Sequence, residues 1–268
     1  MKGRTEMAAT LVDYAVDGAA ARLTLDSPHN RNALSSALVA QLHDGLRRAA
    51  ADPAVRAVVL GHTGNTFCAG ADLTEPSAAA TGDPFDAAAA RAVELTALLR
   101  AIVECRIPVI AALDGHVRAG GLGLVGACDI AVAGPRSTFA LTEARIGVAP
   151  AIISLTLLPK LAPRASARYF VTGETFKADR AAEIGLVTMA VEDVGGAVGD
   201  LVADLGKASP QGLAASKALT TAAVLAGFDR DAQRLAEESA RLFVSDEARE
   251  GMLAFLEKRP PRWAGPGE

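Results

Sequence analysis

The hydrophobic pattern near the start of the chain alternates with the period of a β-strand. Apolar residues recur at about every second position over residues 11–16 and 21–25, on either side of the dipeptide Asp17-Gly18. An Asp-Gly pair between two alternating runs is a strong signal for a tight hairpin turn. The spacing then becomes helical over residues 33–51, where the apolar positions are Leu34, Leu38, Leu42 and Leu46. We therefore predict a β-hairpin followed by a helix.

Three short, continuous apolar runs indicate strands that are buried on both faces. They cover residues 55–60, 109–113 and 130–133. A helical pattern over residues 87–105 separates the first two, and a glycine-rich helical segment separates the second from the third. Alternating strands and helices favour right-handed crossovers and a mainly parallel sheet. The predicted fold class is α/β.

The second half of the chain is predicted to be mostly helical. The patterns predict helices over residues 154–161, 165–172, 178–184, 194–209, 210–226 and 229–244. Residues 77–86 are mostly small or polar and contain Gly82 and Pro84, which predicts a mobile loop of the kind that often borders a site.

Composition narrows the classes of function. The chain has 268 residues, of which 50% are hydrophobic and only 4% aromatic, with a net charge of -4 and a pI near 5.7. The low aromatic content and the net negative charge argue against nucleic acid as a ligand, because they provide neither a stacking platform nor a basic surface. Any anionic ligand must be held by local basic groups or helix N-termini. The three cysteines have no CxxC spacing, which argues against a disulfide framework or a structural zinc site. With no secretory signal or membrane-spanning run, we expect a soluble cytoplasmic protein.

A first candidate segment, residues 66–73 (TFCAGADL), follows a predicted buried strand. Backbone amides released at such a turn can point at an anion, and Gly70 would let a ligand approach closely. Ala71 is then a candidate amide donor. The alternative is an ordinary turn in which Asp72 caps a helix.

A second candidate segment, residues 114–129 (DGHVRAGGLGLVGACD), also follows a buried strand. Its glycines at 120 and 121 would open a helix whose first amides favour a developing oxyanion, and the two segments together could form an oxyanion hole. Gly121, Gly123 and Gly126 also match GxGxxG. However, the next strand begins too soon for the crossover helix of a dinucleotide-binding fold.

Two basic side chains lie in this second segment. His116 is interpreted as a structural residue, because a lone histidine in such a position more often has a structural role than binds a ligand. Arg118 carries a permanent charge beside a glycine-rich turn, so we expect a carboxylate or phosphate as its partner.

The third candidate segment is residues 139–150, in which Glu143 has small and apolar neighbours. Burial of a carboxylate disfavours its charged form and moves its pKa towards the range useful for proton transfer. The alternative is that Glu143 pairs with Arg145 or caps a helix.

In order and spacing, the three segments resemble the crotonase (enoyl-CoA hydratase/isomerase) superfamily over nearly the whole chain, and within it the single-glutamate bacterial enoyl-CoA hydratases. The resemblance implies a spiral of ββα units with a C-terminal helical trimerisation region. It also implies an acyl-coenzyme A substrate, an oxyanion hole formed by the amides of Ala71 and Gly120, and Phe255 and Lys258 as contacts to the nucleotide of a neighbouring subunit. The predicted substrate-binding residues are Ala69, Asp72, Arg31, Arg118, Gly121, Phe255 and Lys258.

Two positions depart from the pattern of this family. Gly123 stands where well-studied hydratases have the first of two glutamates, and only Glu143, which resembles the second, is present. Thr74 stands where some members have a lysine that contacts coenzyme A phosphate. Phosphate recognition would then depend on other residues, for which Lys258 and Arg31 are the candidates.

These residues lead to three functional hypotheses. The first is an enoyl-CoA hydratase in which Glu143 takes a proton from water and returns it to the enolate, while Arg118 binds a polar end of the acyl group. The second is a Δ3-Δ2 enoyl-CoA isomerase that uses the same glutamate. The third is a coenzyme A binding protein that has lost catalysis. No metal, nucleic acid or membrane partner is predicted. No separate cofactor is predicted either, because coenzyme A is part of the substrate.

Apolar residues on the last helices exceed what a thin terminal region can bury, which predicts subunit contacts. The resemblance implies a homotrimer or a dimer of trimers. The predicted domains are an α/β core over residues 1–195 and a helical oligomerisation region over residues 196–268.

Overall fold

Two β-sheets form the centre of the chain in a computed structural model that describes residues 9–75 and 83–265. The strands of the larger sheet are β1 (Val12–Asp17), β2 (Ala20–Leu25), β3 (Ala57–His62), β5 (Val109–Leu113), β7 (Ile130–Ala133) and β10 (Met189–Ala190). The strands of the smaller sheet are β4 (Thr66–Cys68), β6 (His116–Arg118), β8 (Thr138–Ala140) and β9 (Phe176–Lys177).

The larger sheet is mainly parallel, as predicted. Its spatial order is β1-β2-β3-β5-β7-β10, and only the β1–β2 hairpin is antiparallel. In the smaller sheet β4, β6 and β8 are parallel, and β9 pairs antiparallel with β8. The smaller sheet is absent from the sequence-based prediction because strands of two or three residues are too short to show periodicity. The α/β class is confirmed.

Nine α-helices and two short 3₁₀ helices surround these sheets in the described residues. The α-helices are α1 (Ser36–Ala51), α2 (Pro84–Glu104), α3 (Gly120–Ala127), α4 (Ser154–Leu157), α5 (Pro163–Thr172), α6 (Ala178–Glu183), α7 (Val194–Gly206), α8 (Pro210–Phe243) and α9 (Asp246–Leu256). The 3₁₀ helices are Pro28–Asn30 and Glu143–Ile146. None of the helices in these ranges is long and apolar enough to cross a membrane.

Helix α8 differs from the prediction, because the two helices expected over residues 210–226 and 229–244 form one continuous helix of 34 residues. A glycine within a helix costs only about 1 kcal/mol, so Gly227 does not have to end it. The next residue, Phe228, is fully buried in the main hydrophobic core and holds this part of the helix in place.

Helix α2 begins earlier than predicted. Residues 84–86, expected to belong to a mobile loop, form its first turn, with Pro84 at the first helical position. Asp83 caps this end of the helix, since its Oδ1 accepts a hydrogen bond of 2.9 Å from the Phe85 amide. The rest of the predicted loop, residues 77–82, lies outside the described residues.

Both faces of the larger sheet are covered, which explains its continuous apolar strands. Along β3, Val58 and Leu60 face the main core, whereas Ala57 and Val59 face a second cluster that includes Val198 of α7. The domain boundary predicted between residues 195 and 196 falls within α7, which packs against this sheet. The division into two domains stays a prediction.

A buried ion pair attaches α8 to the rest of the core. Lys217 Nζ lies 2.7 Å from Asp129 Oδ2, and the two side chains are only 4% and 15% exposed. Lys217 also donates to the carbonyl oxygens of Ile102, at 3.0 Å, and Ile107, at 3.3 Å. Its three donors are therefore used to hold α8 against the end of α2 and the start of β5.

We expect Lys217→Met to lower the free energy of unfolding by about 3 kcal/mol, measured by urea denaturation. The change removes the cation that lies 2.7 Å from the Asp129 carboxylate, a group that is only 15% exposed, and so leaves its charge poorly compensated. Lys207→Met, which removes an exposed pair with Asp204 at 2.7 Å, is the control and should change stability little. Equal losses of stability in the two variants would show that burial of the Lys217–Asp129 pair does not determine its contribution.

Candidate active site

A cavity of about 820 Å³ brings together most of the residues that the sequence singles out. It lies between the two glycine turns, the 3₁₀ helix Glu143–Ile146, the end of α8 and α9. The predicted site residues that line it are Arg31, Ala69, Ala71, Asp72, Gly120, Glu143 and Phe255. Seven of the ten predicted site residues thus share one cavity, although they come from distant parts of the chain.

The first turn of the cavity is built around Gly70. Its φ of +91° is in the left-handed region, and a Cβ there would lie 2.9 Å from Ala119 Cβ and 3.3 Å from the Gly120 nitrogen. The Gly70 amide donates to Cys68 Sγ at 3.4 Å. The two turns are thus in direct contact, and only glycine allows this approach.

The second turn contains a strained residue. Ala119, which precedes α3, has a φ of +45° and a ψ of -121°, values that are unfavourable for a residue with a side chain. This conformation orients the peptide that carries the Gly120 amide. A Cβ built on Gly120 would be only 3.8 Å from the Ala71 nitrogen, so the two amides are close neighbours.

The amides of Ala71 and Gly120 are available to a ligand. Among residues 9–75 and 83–265, neither amide donates a hydrogen bond to another group of the chain. Two adjacent backbone donors at the edge of a cavity are suited to bind an oxygen atom that gains negative charge.

Glu143 is the buried acid of the cavity. Its side chain is 7% exposed, and its Oε2 has no hydrogen-bond partner within the described part of the chain. Burial raises its pKa to about 7, although a hydrogen bond from its own amide works in the opposite direction. Arg145 donates instead to the Thr172 carbonyl oxygen at 3.1 Å, so the alternative of a Glu143–Arg145 pair is wrong.

Asp72 is a second carboxylate in the lining, but its electrostatic state differs from that of Glu143. Burial alone would raise its pKa, yet hydrogen bonds from Thr74 and Asn30 outweigh this effect and lower it. Its oxygens accept from Thr74 Oγ1 at 2.7 Å and from Asn30 Nδ2 at 3.0 Å. Asp72 is therefore ionised, and both of its carboxylate oxygens accept hydrogen bonds. It stabilises the turn and caps no helix.

The position of Glu143 depends on close backbone packing against α9. A Cβ on Gly251 would overlap the Ile146 carbonyl group, and one on Gly147 would lie 2.7 Å from the Glu247 carbonyl carbon. Helix α9 thus touches the 3₁₀ helix that begins at Glu143, and these two glycines make the contact possible.

The absence of a first glutamate has a structural counterpart in the packing around Gly123. A Cβ at this position would overlap Ile153 Cγ2, and would lie 3.0 Å from Ile153 Cβ and 3.3 Å from Leu99 Cδ1. Ile153 also lines the cavity. An isoleucine from the segment before α4 therefore fills the space that a side chain on Gly123 would need.

The comparisons with known proteins agree with this architecture. The family model described as "Enoyl-CoA hydratase/isomerase" matches residues 16–266. This chain belongs to that family of enzymes. A crystal structure of an enoyl-CoA hydratase from Mycobacterium avium is 72% identical to this member of the family, with a TM-score of 0.89, and covers 95% of this chain and 99% of that chain. The predicted crotonase fold is confirmed.

Relatives of this enoyl-CoA hydratase/isomerase family member bear the names of more than one activity. A Bacillus subtilis (strain 168) protein named "Probable enoyl-CoA hydratase" is 30% identical over 258 residues, which cover 95% of this chain and 98% of the relative. The 1,2-epoxyphenylacetyl-CoA isomerase of Escherichia coli (strain K12) is 30% identical over 252 residues, which cover 91% and 94%. Membership of the family alone therefore does not choose a reaction.

Two predicted substrate-binding residues lie elsewhere in this family member. The Arg118 guanidinium donates to the carbonyl oxygens of Val117, at 2.9 Å, and Thr138, at 2.7 Å, and to Thr138 Oγ1. Its partners within the described residues are therefore neutral backbone and hydroxyl oxygens of the smaller sheet, and it lies outside the cavity lining. A contact between Arg118 and a carboxylate or phosphate of the substrate stays a prediction. Gly121 is buried behind the cavity, where a Cβ would lie 2.8 Å from the Cys68 carbonyl oxygen. It allows α3 to pack against β4 and does not contact the cavity.

The C-terminal residues differ in their position relative to the cavity. Phe255 lines the cavity of its own chain, and the contact with the nucleotide of a neighbouring subunit that the resemblance implies stays a prediction. Lys258 is exposed, follows α9 with a φ of +55° and is not part of the lining. A contact between Lys258 and a neighbouring subunit stays a prediction. Arg259, which the sequence does not single out, lines the cavity and forms an ion pair of 2.7 Å with Glu250.

Sequence patterns also miss three cavity residues, Ile153, Ser239 and Phe243. For Ser239 a signal exists, since it occupies a polar position within the apolar i, i+4 stripe Leu235–Ser239–Phe243 of α8. For Ile153 no local signal exists, because its importance comes from contact with a distant glycine. Within the described residues, no group of three His, Cys, Asp or Glu side chains is arranged to hold a metal ion.

The raised pKa of Glu143 should make stability depend on pH. Its ordinary value is 4.5 and its value in the folded chain is about 7. Between these values the unfolded chain has lost the proton and the folded chain retains it. The contribution of Glu143 to stability is therefore greatest below pH 4.5 and falls by about 3 kcal/mol as pH rises to 7. We expect this fall in the difference between wild type and Glu143→Gln, measured by urea denaturation across pH; parallel pH profiles would contradict it.

Proposed function

We propose that this chain hydrates 2-enoyl-CoA thioesters, with Glu143 transferring the protons. The observation that carries the proposal is a buried carboxylate with a pKa of about 7 and an unpartnered oxygen, in a cavity that also presents the free amides of Ala71 and Gly120. A pKa near neutrality suits a group that must accept a proton and then release it. The hydratase named among the similar structures adds support.

The proposed reaction begins with the thioester oxygen bound by the amides of Ala71 and Gly120. The Glu143 carboxylate removes a proton from water as the water oxygen bonds to C3 of the acyl chain. The electron pair of the double bond moves towards the thioester, and the two amides stabilise the resulting enolate oxygen. Glu143, now protonated, delivers its proton to C2. One hydroxyl and one hydrogen are thereby added, and the carboxylate is regenerated.

Binding of the coenzyme A part is proposed for residues at the borders of the same cavity. Arg31 supplies positive charge, Ala69 supplies backbone polar groups, and Phe255 supplies an apolar surface. Asp72 contributes by holding the turn that presents the Ala71 amide. Lys258 from a neighbouring subunit, and assembly as a trimer or dimer of trimers, belong to the same proposal.

A second candidate is a Δ3-Δ2 enoyl-CoA isomerase. The observation that favours it is the packing of Ile153 against Gly123, which leaves Glu143 as the one carboxylate of the described lining whose pKa is near neutrality. Moving the double bond from C3–C4 to C2–C3 requires only that one group remove a proton from C2 and deliver a proton to C4; the reverse shift exchanges the two positions. The same oxyanion donors would stabilise the intermediate dienolate.

Isotope labelling distinguishes the candidates. The purified chain is incubated in heavy-oxygen water with straight, branched and carboxylated 2-enoyl-CoA thioesters, and the products are analysed by mass spectrometry. Incorporation of the heavy oxygen is the expected result. Absence of label from every substrate would reject hydration. In that case, conversion of 3-enoyl to 2-enoyl thioesters would identify the isomerase, and binding without turnover of either class would identify a non-catalytic coenzyme A binding protein.

A further inference from the structure

One polar side chain, Ser239, lies on an otherwise apolar side of the cavity. This side is formed by α2, the segment before α4 and α8, and its lining residues are Leu95, Ile152, Ile153, Ser239 and Phe243. None of the other four side chains contains a hydrogen-bonding group. Among the side chains that these elements contribute to the cavity, Ser239 is therefore the one that offers a hydrogen-bonding group.

The Ser239 hydroxyl is buried but remains unused within the chain. The residue is 6% exposed, and its hydroxyl has no hydrogen-bond partner in the part of the chain that the structure describes. The hydroxyl oxygen is not among the fully enclosed polar atoms of the described residues, so it reaches solvent-sized space. Since Ser239 lines the cavity, the hydroxyl is open to the cavity.

Another buried hydroxyl of the same helix shows the usual arrangement. Thr221 Oγ1 donates to the carbonyl oxygen of Lys217, four residues earlier, at 2.9 Å. Serine and threonine commonly satisfy their hydroxyls in this way within a helix. Ser239 makes no such bond to its helix, so its donor and acceptor capacity is left for whatever occupies the cavity.

We propose that Ser239 binds a neutral hydrogen-bonding group, a hydroxyl or a carbonyl, on the acyl chain of the substrate. The inference rests on the proposed function, because it assumes that the cavity holds an acyl-CoA thioester, and it names the class of acyl group. A plain alkyl chain would leave the buried hydroxyl unpaired, which is unfavourable. A carboxylate would find no cation among the side chains of this wall, so its desolvation would not be compensated.

Binding of saturated thioesters tests this inference without any need for turnover. Hexanoyl-, octanoyl- and decanoyl-CoA are each compared with their ω-hydroxy and ω-carboxy counterparts by calorimetry on the full chain. At one or more lengths we expect the ω-hydroxy compound to bind about tenfold more tightly than the alkyl compound. Ser239→Ala should make the two affinities equal.

Thr221→Val is the matched control, because it removes a buried hydroxyl of the same helix that is already bonded to the backbone. It should retain the preference for the ω-hydroxy compound. The inference is overturned if no length shows a preference, if the preference survives Ser239→Ala, or if the ω-carboxy compounds gain as much from Ser239 as the ω-hydroxy compounds do. A preference that depends on Ser239 without hydration of any enoyl thioester would instead refute the proposed function and keep the inference.

Discussion

Replacement of Glu143 by glutamine is expected to lower kcat for hydration by about a hundred- to ten-thousand-fold and to leave KM nearly unchanged. General acid–base catalysis typically contributes a factor of this size. Glutamine has almost the shape of glutamate, so the cavity should still bind the thioester, but it can neither accept the proton of the water nor return one to C2. Steady-state rates with the best substrate of the labelling panel measure the effect.

The control for this variant is Glu104→Gln. Glu104 is the last residue of α2 and forms an exposed ion pair of 2.7 Å with Arg100, away from the cavity lining. It should retain the wild-type rate. Hydration that survives in Glu143→Gln would refute the assignment of Glu143 as the acid–base group. A residual rate above the uncatalysed reaction is compatible with it, because the amides of Ala71 and Gly120 would still stabilise the enolate.

The burial of Glu143 follows from its immediate neighbours in the sequence. The residues around it are small or apolar, which predicts a buried carboxylate with a raised pKa, and both features are confirmed. The two glycine turns are predictable for a similar reason, since each follows a continuous apolar strand whose type can be recognised locally. Local sequence therefore identifies the chemistry-bearing segments of this cavity.

What local sequence does not reveal is which groups meet across the fold. Arg118 obtains its acceptors from Thr138, on a neighbouring strand 20 positions away, and no pattern around Arg118 indicates this pairing. The strand itself, β8, is only three residues long. The sequence interpretation of Arg118 misses these bonds because it considers only the charge of the guanidinium and the adjacent glycines.

The contact between Gly123 and Ile153 is a second relation that only the fold reveals, and it predicts strong coupling between the two positions. Gly123→Ala alone should lower the free energy of unfolding by about 1–3 kcal/mol, because its Cβ would overlap Ile153. Ile153→Ala alone should cost about 2–5 kcal/mol through the lost contacts and the space created. In the double variant the new Cβ enters that space, so we expect a cost at least 1 kcal/mol below the sum of the two.

Urea denaturation of the four proteins measures this coupling, and Gly45→Ala supplies the control. A Cβ on Gly45 of α1 would lie 2.7 Å from Leu23 Cδ2, which is a similar overlap but involves different partners. Its effect should add to that of Ile153→Ala within about 0.5 kcal/mol. Additivity for Gly123 as well would show that Ile153 does not occupy the space beside it. Coupling confined to Gly123 would instead mean that a side chain at position 123, including a second catalytic carboxylate, requires a smaller residue at position 153. The single-glutamate site would then be a property of this pair and not of Gly123 alone.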